Sequence, residues 1–247
     1  LWLKKYFRKQ KIRFTQPSNR KTIKRDGMLD GKNILITGAN GTLGKAATQI
    51  AKSYGAAVVE LDIDFTNKSI SQFCVDLTDL AAVETCLASQ GKIDAIFNIA
   101  GAFSMGNSVA MTSEEEWEHM NNVNVKTMRN MVTATLPQMI ENRNGSIINI
   151  GANAAIQGQA MMGAYITAKN TVMRLTETIS QEVRSFDVNV NAILPSIIDT
   201  PTNRIDMPDA DFSAWVSPVS VAELMCFLAS DKAKDIHGAL IPVVGLS

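Results

Sequence analysis

The chain has three cysteines, Cys74, Cys86 and Cys226, and no two of them stand at C-x-x-C spacing. So sparse and odd a set excludes a disulfide framework and points to reduced thiols in a cytoplasmic compartment. Only two histidines are present, His119 and His237, far apart and without ligand-like neighbours, which argues against a zinc site. The same scarcity leaves no Ser/His/Asp arrangement, and neither G-x-S-x-G nor a P-loop lysine motif occurs. No apolar run approaches the roughly 18 residues of a membrane-spanning helix. Aromatic residues make up 6% of the chain, and Trp117, Phe212 and Trp215 read first as packing groups.

Net charge is also missing, but the zero is a sum of unlike parts. Residues 1–27 carry ten Lys/Arg and one acid, Asp26, so the remaining 220 residues hold 14 bases against 23 acids. A body with that acidic surplus gives no reason to expect nucleic-acid binding. The basic head could be a transit or membrane-surface segment, or a disordered arm. Because Met28 opens MLDGKNILITGAN just before a strand, we read residues 1–27 as an extension outside the mature protein, and 28–247 as one catalytic domain.

What is present is alternation. Apolar strand-like runs at 33–38, 56–62, 72–77, 94–100, 145–151, 188–195 and 239–245 are separated by amphipathic stretches. Helices are predicted at 43–54, 80–89, 113–141, 163–185 and 219–230, with a left-handed cap at Asn144-Gly145. With 46% hydrophobic residues, the pattern predicts an α/β chain: one Rossmann-type, doubly wound domain with a seven-stranded, mainly parallel sheet covered on both faces.

The first strand runs into Thr37-Gly38-Ala39-Asn40-Gly41-Thr42-Leu43-Gly44 and then a helix. Glycines let a pyrophosphate approach bare backbone, and the helix N-terminus offers unpaired N–H groups and a positive dipole end. The next strand ends in Asp62, roughly 20 residues on, where a carboxylate meets the adenosine ribose hydroxyls. An acid there repels a 2′-phosphate, so NAD(H) is favoured and NADP(H) stays open; Lys68 is the nearest base. Glu60 and Asp64 are expected, from strand alternation, to point elsewhere than Asp62. Farther on, Tyr165 and Lys169 stand four apart, on one helical face. A neighbouring ammonium favours the phenolate, and is expected to lower the tyrosine from its ordinary pKa of about 10 towards acid–base duty.

These residues resemble the short-chain dehydrogenase/reductase family from about Leu29 to the C-terminus. The resemblance sets Asp76-Leu77 against the adenine, and identifies Asn98-Ile99-Ala100-Gly101 as the turn after the fourth strand. It makes Asn124 the helical asparagine behind a proton-refilling water chain, and has Lys169 hold the nicotinamide ribose. Pro195-Ser196-Ile197-Ile198-Asp199-Thr200 matches the nicotinamide stretch, contributing Pro195, Ile198 and Thr200. It implies a homodimer or homotetramer, for which the Tyr165 helix offers Met173, Leu175, Thr178 and Ile179 as an apolar face.

Two departures stand out. The glycines run TGxxGxxG, and Ala152 stands thirteen positions before Tyr165, where the family carries a serine. Both resemble dihydropteridine reductases, as does the stretch from Asp199 through Arg204 and Phe212 to Trp215. Losing a hydrogen bond to a developing alkoxide costs roughly 10²–10³ in turnover. The lost serine implies either a substrate with no localised alkoxide, such as a quinonoid dihydropterin, or a substitute donor, Asn153 before Asn149, acting on a carbonyl such as a 3-oxoacyl thioester. A non-catalytic dinucleotide-binding regulator is the reading from another class. Ala152, Asn153 and Trp215 are the candidate substrate contacts.

Overall fold

The computed structural model describes residues 27–66 and 69–246; the basic head up to Asp26, and Lys68, lie outside the described residues. One sheet contains β1 (Asn33–Thr37), β2 (Ala57–Asp62), β3 (Gln72–Cys74), β4 (Ala95–Asn98), β5 (Gly145–Ile150), β6 (Val188–Pro195) and β7 (Leu240–Val243). Their order is β3-β2-β1-β4-β5-β6-β7. Every pairing is parallel, so the sheet exceeds the mainly parallel one expected. The order reverses between β1 and β4, and the crevice beyond their carboxyl ends is where open parallel sheets bind ligands.

Helices are α1 (Thr42–Ser53), α2 (Leu80–Leu87), α3 (Glu114–Asn121), α4 (Thr127–Asn142), α5 (Gly163–Val183), α6 (Pro201–Asp206) and α7 (Pro218–Leu228). Side-chain alternation on β1 sends Ile34 and Ile36 to one layer with Ala47, Ile50 and Met225 of α1 and α7. Leu35 goes to the other layer, with Met131, Met139 and Val172 of α4 and α5. Some of the buried polar side chains tie the layers together. Asn98 Nδ2 donates to Asn149 Oδ1 (2.9 Å), and Asn149 Nδ2 donates to Thr176 Oγ1 (2.9 Å), joining β4, β5 and α5.

Four local expectations change. The long predicted helix over 113–141 is broken by a π turn at Asn122–Lys126. The left-handed cap is Arg143 (φ 47°), not Asn144-Gly145. Gly145 is needed instead for packing, since a Cβ there would lie 2.6 Å from Met139 Cγ. The short α6 was not foreseen, although Thr200 caps it by accepting from Asn203 N (3.1 Å) and Pro201 sits in its first turn. Finally, Met173 and Ile179 are 2% and 8% exposed and belong to the core, so they form no outward apolar face for self-association.

Replacing Asn149 by alanine leaves the Asn98 amide without its acceptor in a dry sheet. We expect a loss of about 3 kcal/mol, read as a lower urea midpoint at unchanged slope. A change under about 0.5 kcal/mol would show that the network adds nothing.

Candidate active site

The turn after β1 is shaped by its glycines. Gly38 has φ +63°, and a Cβ on it would lie 2.9 Å from Ala100 N. On Gly44 a Cβ would lie 2.1 Å from Gly38 O, so the helix can abut the turn only without a side chain. Gly41 differs: its nearest protein neighbour would be Gly38 O at 3.3 Å, leaving its bare side for a ligand. Gly41 is also the N-cap of α1, with no side-chain cap and no acid in the first turn. The donors of Thr42, Leu43 and Gly44 therefore meet no competing carboxylate, and the residues fit a dinucleotide pyrophosphate.

Asp62 ends β2 beside this turn. Its Oδ2 accepts from Asn40 N (2.8 Å) and its Oδ1 from Ile63 N (2.7 Å), and each oxygen keeps a lone pair for a ribose hydroxyl. The expectation that alternation separates Glu60 from Asp62 was wrong, because residues two apart share a strand face. What removes Glu60 is its place in mid-strand, where Lys52 Nζ (2.7 Å) and Gln72 Nε2 (2.9 Å) engage it. Asp64 lends Asn40 Nδ2 only its backbone carbonyl (3.0 Å).

Along the crevice, Asp76 is held below the usual carboxylate range by hydrogen bonds from the Thr78 side chain and backbone. Leu77 turns its side chain into the core, and its carbonyl accepts from Asn130 Nδ2 (2.9 Å). Asn98 turns to Asn149, while Ala100 donates its N–H to Thr37 Oγ1 (3.1 Å). Sequence reasoning quoted Thr37 without giving it a role. Its hydroxyl accepts from both Ile99 and Ala100, clasping the ends of β1 and β4, and the strand-ending Thr-Gly was the available signal.

The candidate catalytic residues Asn124, Tyr165 and Lys169 assemble where β4, the π turn and α5 meet. A Cβ on Gly101 would lie 2.6 Å from Asn124 Oδ1 and 3.3 Å from Lys169 Nζ, so only glycine lets this backbone reach the pair. Asn124 is buried; its Oδ1 accepts from Ala102 N (3.2 Å), and its Nδ2 donates to Ala102 O (3.1 Å) and Met120 O (3.0 Å). Lys169 is 6% exposed and donates to Ile150 O (2.9 Å); burial lowers its pKa to about 8. Tyr165 is half-buried, and burial pushes it up to about 12. The expected lowering of Tyr165 is thus reversed, because desolvation penalises the phenolate and the ammonium sits against a carbonyl. In this state the Tyr165 phenol keeps its proton throughout the physiological range.

Phe103 meets Tyr165 edge-on, with ring centroids 4.9 Å apart. The loop carrying it is fixed from two sides. Glu116 accepts from Ser104 Oγ and from Asn107 Nδ2 (3.2 Å), and Gly106 N donates to Met161 O (2.9 Å). Glu116 was missed because Ser113-x-x-Glu116 reads as an ordinary capping box, whose glutamate returns to the cap. Ser113 does cap α3, but the carboxylate is used by the loop.

Ala152, 4% exposed, lies in a small apolar cluster with Ala155, Met173, Ala192 and Leu194, against which Tyr165 packs. Asn149 is committed to the sheet network at both ends of its amide. Asn153 is half-buried, at the start of the short 3-10 turn Asn153–Ile156, and its side chain shows no hydrogen bond among the described residues. After β6, whose last residue is the buried Pro195, Ile198 bridges Val216, and Thr200 caps α6. Arg204 forks onto Asp199 (2.6 and 2.8 Å) and lies over Phe212, whose ring meets Trp215 at a tilt with centroids 4.7 Å apart. Trp215 is 9% exposed, so much of its ring is packing.

A doubly wound parallel sheet, a bare glycine turn at its switch point and a half-buried tyrosine one helical turn from a buried lysine are the frame of a hydride-transferring oxidoreductase. Residues 32–210 match the family model for short chain dehydrogenase, and the chain belongs to the short-chain dehydrogenase/reductase family. It is 31% identical to the 3-oxoacyl-[acyl-carrier-protein] reductase FabG of Thermotoga maritima, over 88% of this chain and 98% of that one. It is 32% identical to Dehydrogenase/reductase SDR family member 6 of Aquarana catesbeiana, over 86% and 95%. Among solved structures, ligand-free aldohexose dehydrogenase of Thermoplasma acidophilum superposes with TM-score 0.80 at 26% identity, over 90% of this chain and 96% of that one. An NAD-bound 3-oxoacyl-[acyl-carrier protein] reductase of Brucella melitensis has TM-score 0.82 at 22% identity, over 94% and 96%, a likeness of fold.

A protonated Lys169 is the form that can hold ribose hydroxyls and stabilise charge. Its lowered pKa of about 8 means that the proton is present below that pH and lost above it. We expect kcat/KM for the dinucleotide to be level near neutrality and to fall above about pH 8, with no separate limb from Tyr165 below about 12. A profile level to pH 10 would show that the charge on Lys169 is not used.

Proposed function

We propose that the chain is an NADH-linked reductase in which Tyr165 gives the proton, and whose substrate spreads the incoming charge over a conjugated ring. A quinonoid dihydropterin is the type compound. The observation that carries this reading is Ala152, whose methyl sits in an apolar cluster where an alkoxide-binding hydroxyl would otherwise stand. A bound nicotinamide supplies the hydride. Gly38, Asn40, Gly41 and the start of α1 hold the pyrophosphate, and Asp62 takes the ribose hydroxyls, which favours NADH over NADPH. Lys169 orients the second ribose, Asn124 keeps the Gly101 turn against it, and the acid form of Tyr165 suits reduction.

A second reading is reduction of a 3-oxoacyl thioester with Asn153 as the oxygen's donor. The Thermotoga maritima relative and the unengaged Asn153 amide favour it. A regulator without turnover is disfavoured by the intact Tyr165, Lys169 and Asn124 arrangement. The three free cysteines fit a reducing, cytoplasmic setting, and the family resemblance supports a homo-oligomer. Among the described residues no helix is long and apolar enough to cross a membrane.

NADH oxidation should be followed side by side on quinonoid dihydropterin and acetoacetyl-CoA. Turnover on the pterin, cut by about 10² or more in Tyr165→Phe, is the expected result. Turnover on the thioester alone would replace the leading reading with the second. Asp62→Ser should narrow the preference for NADH over NADPH, and an unchanged preference would remove Asp62 from that role.

A further inference from the structure

We infer that the substrate site beside Tyr165 is built for an uncharged, flat ring laid against apolar walls and against anionic carriers such as phosphopantetheine thioesters; this rests on Tyr165 being the reacting centre. The first observation is charge. Residues 99–113, between β4 and α3, and 151–164, between β5 and α5, contain no Asp, Glu, Lys, Arg or His, in a chain that is 19% charged. Both loops leave the carboxyl ends of strands flanking the crevice. They are joined to each other by Gly106 N donating to Met161 O.

What they carry instead is exposed apolar surface. Phe103, Met105, Met111, Ile156 and Met161 are between 45% and 74% exposed. Val109 Cγ2 lies 3.0 Å from where a Cβ on Gly163 at the start of α5 would stand, so the two loops also meet there, and we take the exposed apolar side chains they carry as one rim. Clusters of exposed apolar side chains of this kind mark binding sites rather than ordinary surface. Phe103 presents its ring edge-on to Tyr165, a wall suited to a flat or alicyclic ring stacked over the reacting bond. Methionines adapt to irregular apolar shapes.

The surrounding charges oppose an anion. Segment 196–217 supplies Asp199, Asp206, Asp209 and Asp211 and a single cation, Arg204, which is forked onto Asp199. The first turn of α3 adds Glu114, Glu115 and Glu116. Two or more phosphates arriving at this rim would meet several carboxylates and no unengaged cation on these loops.

The test is calorimetric titration of the full chain, with and without NADH, using 1-naphthol and 1-naphthoate, rings of one size that differ in charge. We expect naphthol to bind at least tenfold more tightly, and Phe103→Ser to weaken it at least fivefold while leaving NADH binding within twofold. Phe103→Leu, which keeps apolar bulk, should retain most of the affinity and so excludes a folding defect. Naphthoate binding as tightly as naphthol, no naphthol binding, or indifference to Phe103→Ser would each overturn the inference. So would Phe103→Ser converting an oligomer to a monomer in sedimentation, since the rim would then be a self-association surface. Failure of NADH to bind while naphthol does would sink the proposed cofactor and leave the ring site standing.

Discussion

An ammonium group held out of water against one carbonyl is the constraint around which this site is arranged. Lys169 has Ile150 O as its anchor and cannot be moved without stranding a buried charge, which would cost several kcal/mol. Ile150 must therefore end β5 where it does, and α5 must start late enough to bring its second turn over that strand end. Gly101 must be bare for the β4 turn to pass beside the nitrogen. Thr37 fixes that turn to the end of β1, so the phosphate turn and the reactive pair share one reference frame.

The same burial decides the protonation states. Desolvation pushes Lys169 and Tyr165 each towards its neutral form, down for the cation and up for the phenol. A neutral phenol beside a readily neutralised lysine, ringed by loops without charge, is a site in which little is solvated by water. Ala152 belongs to that character. A hydroxyl in its cluster of alanines, Met173 and Leu194 would find apolar neighbours, with Tyr165 as the polar side chain packed against them.

Much of this was legible in the residues. All seven strands and five of the helical stretches announce themselves through period and length, since both faces of a parallel sheet demand apolar runs. The glycine turn, Asp62, Tyr165 and Lys169 carry chemistry in their identity and spacing. What could not be read arises from long-range packing. The π turn was not read because Asn122–Lys126, although poor in strong helix formers, holds no glycine or proline to mark a break. The tyrosine's shift was misjudged because spacing shows the lysine nearby but not the burial that outweighs it. Met173 and Ile179 were placed outside because an amphipathic stripe does not say which apolar positions the sheet covers. Glu116 was invisible because a motif that explains a residue locally conceals its use by a loop twelve positions back.

The π turn has a consequence for how such a chain could change. One extra residue in a helix rotates everything beyond it by about 100°, and the turn at Asn122–Lys126 absorbs that rotation locally. Deleting a single codon there restores an uninterrupted helix from α3 into α4, which regular geometry favours. The Asn124 amide would then leave Ala102, while the sheet and phosphate turn stay intact. One in-frame deletion is thus enough to part the Asn124 contact from the sheet and the glycine turn around it.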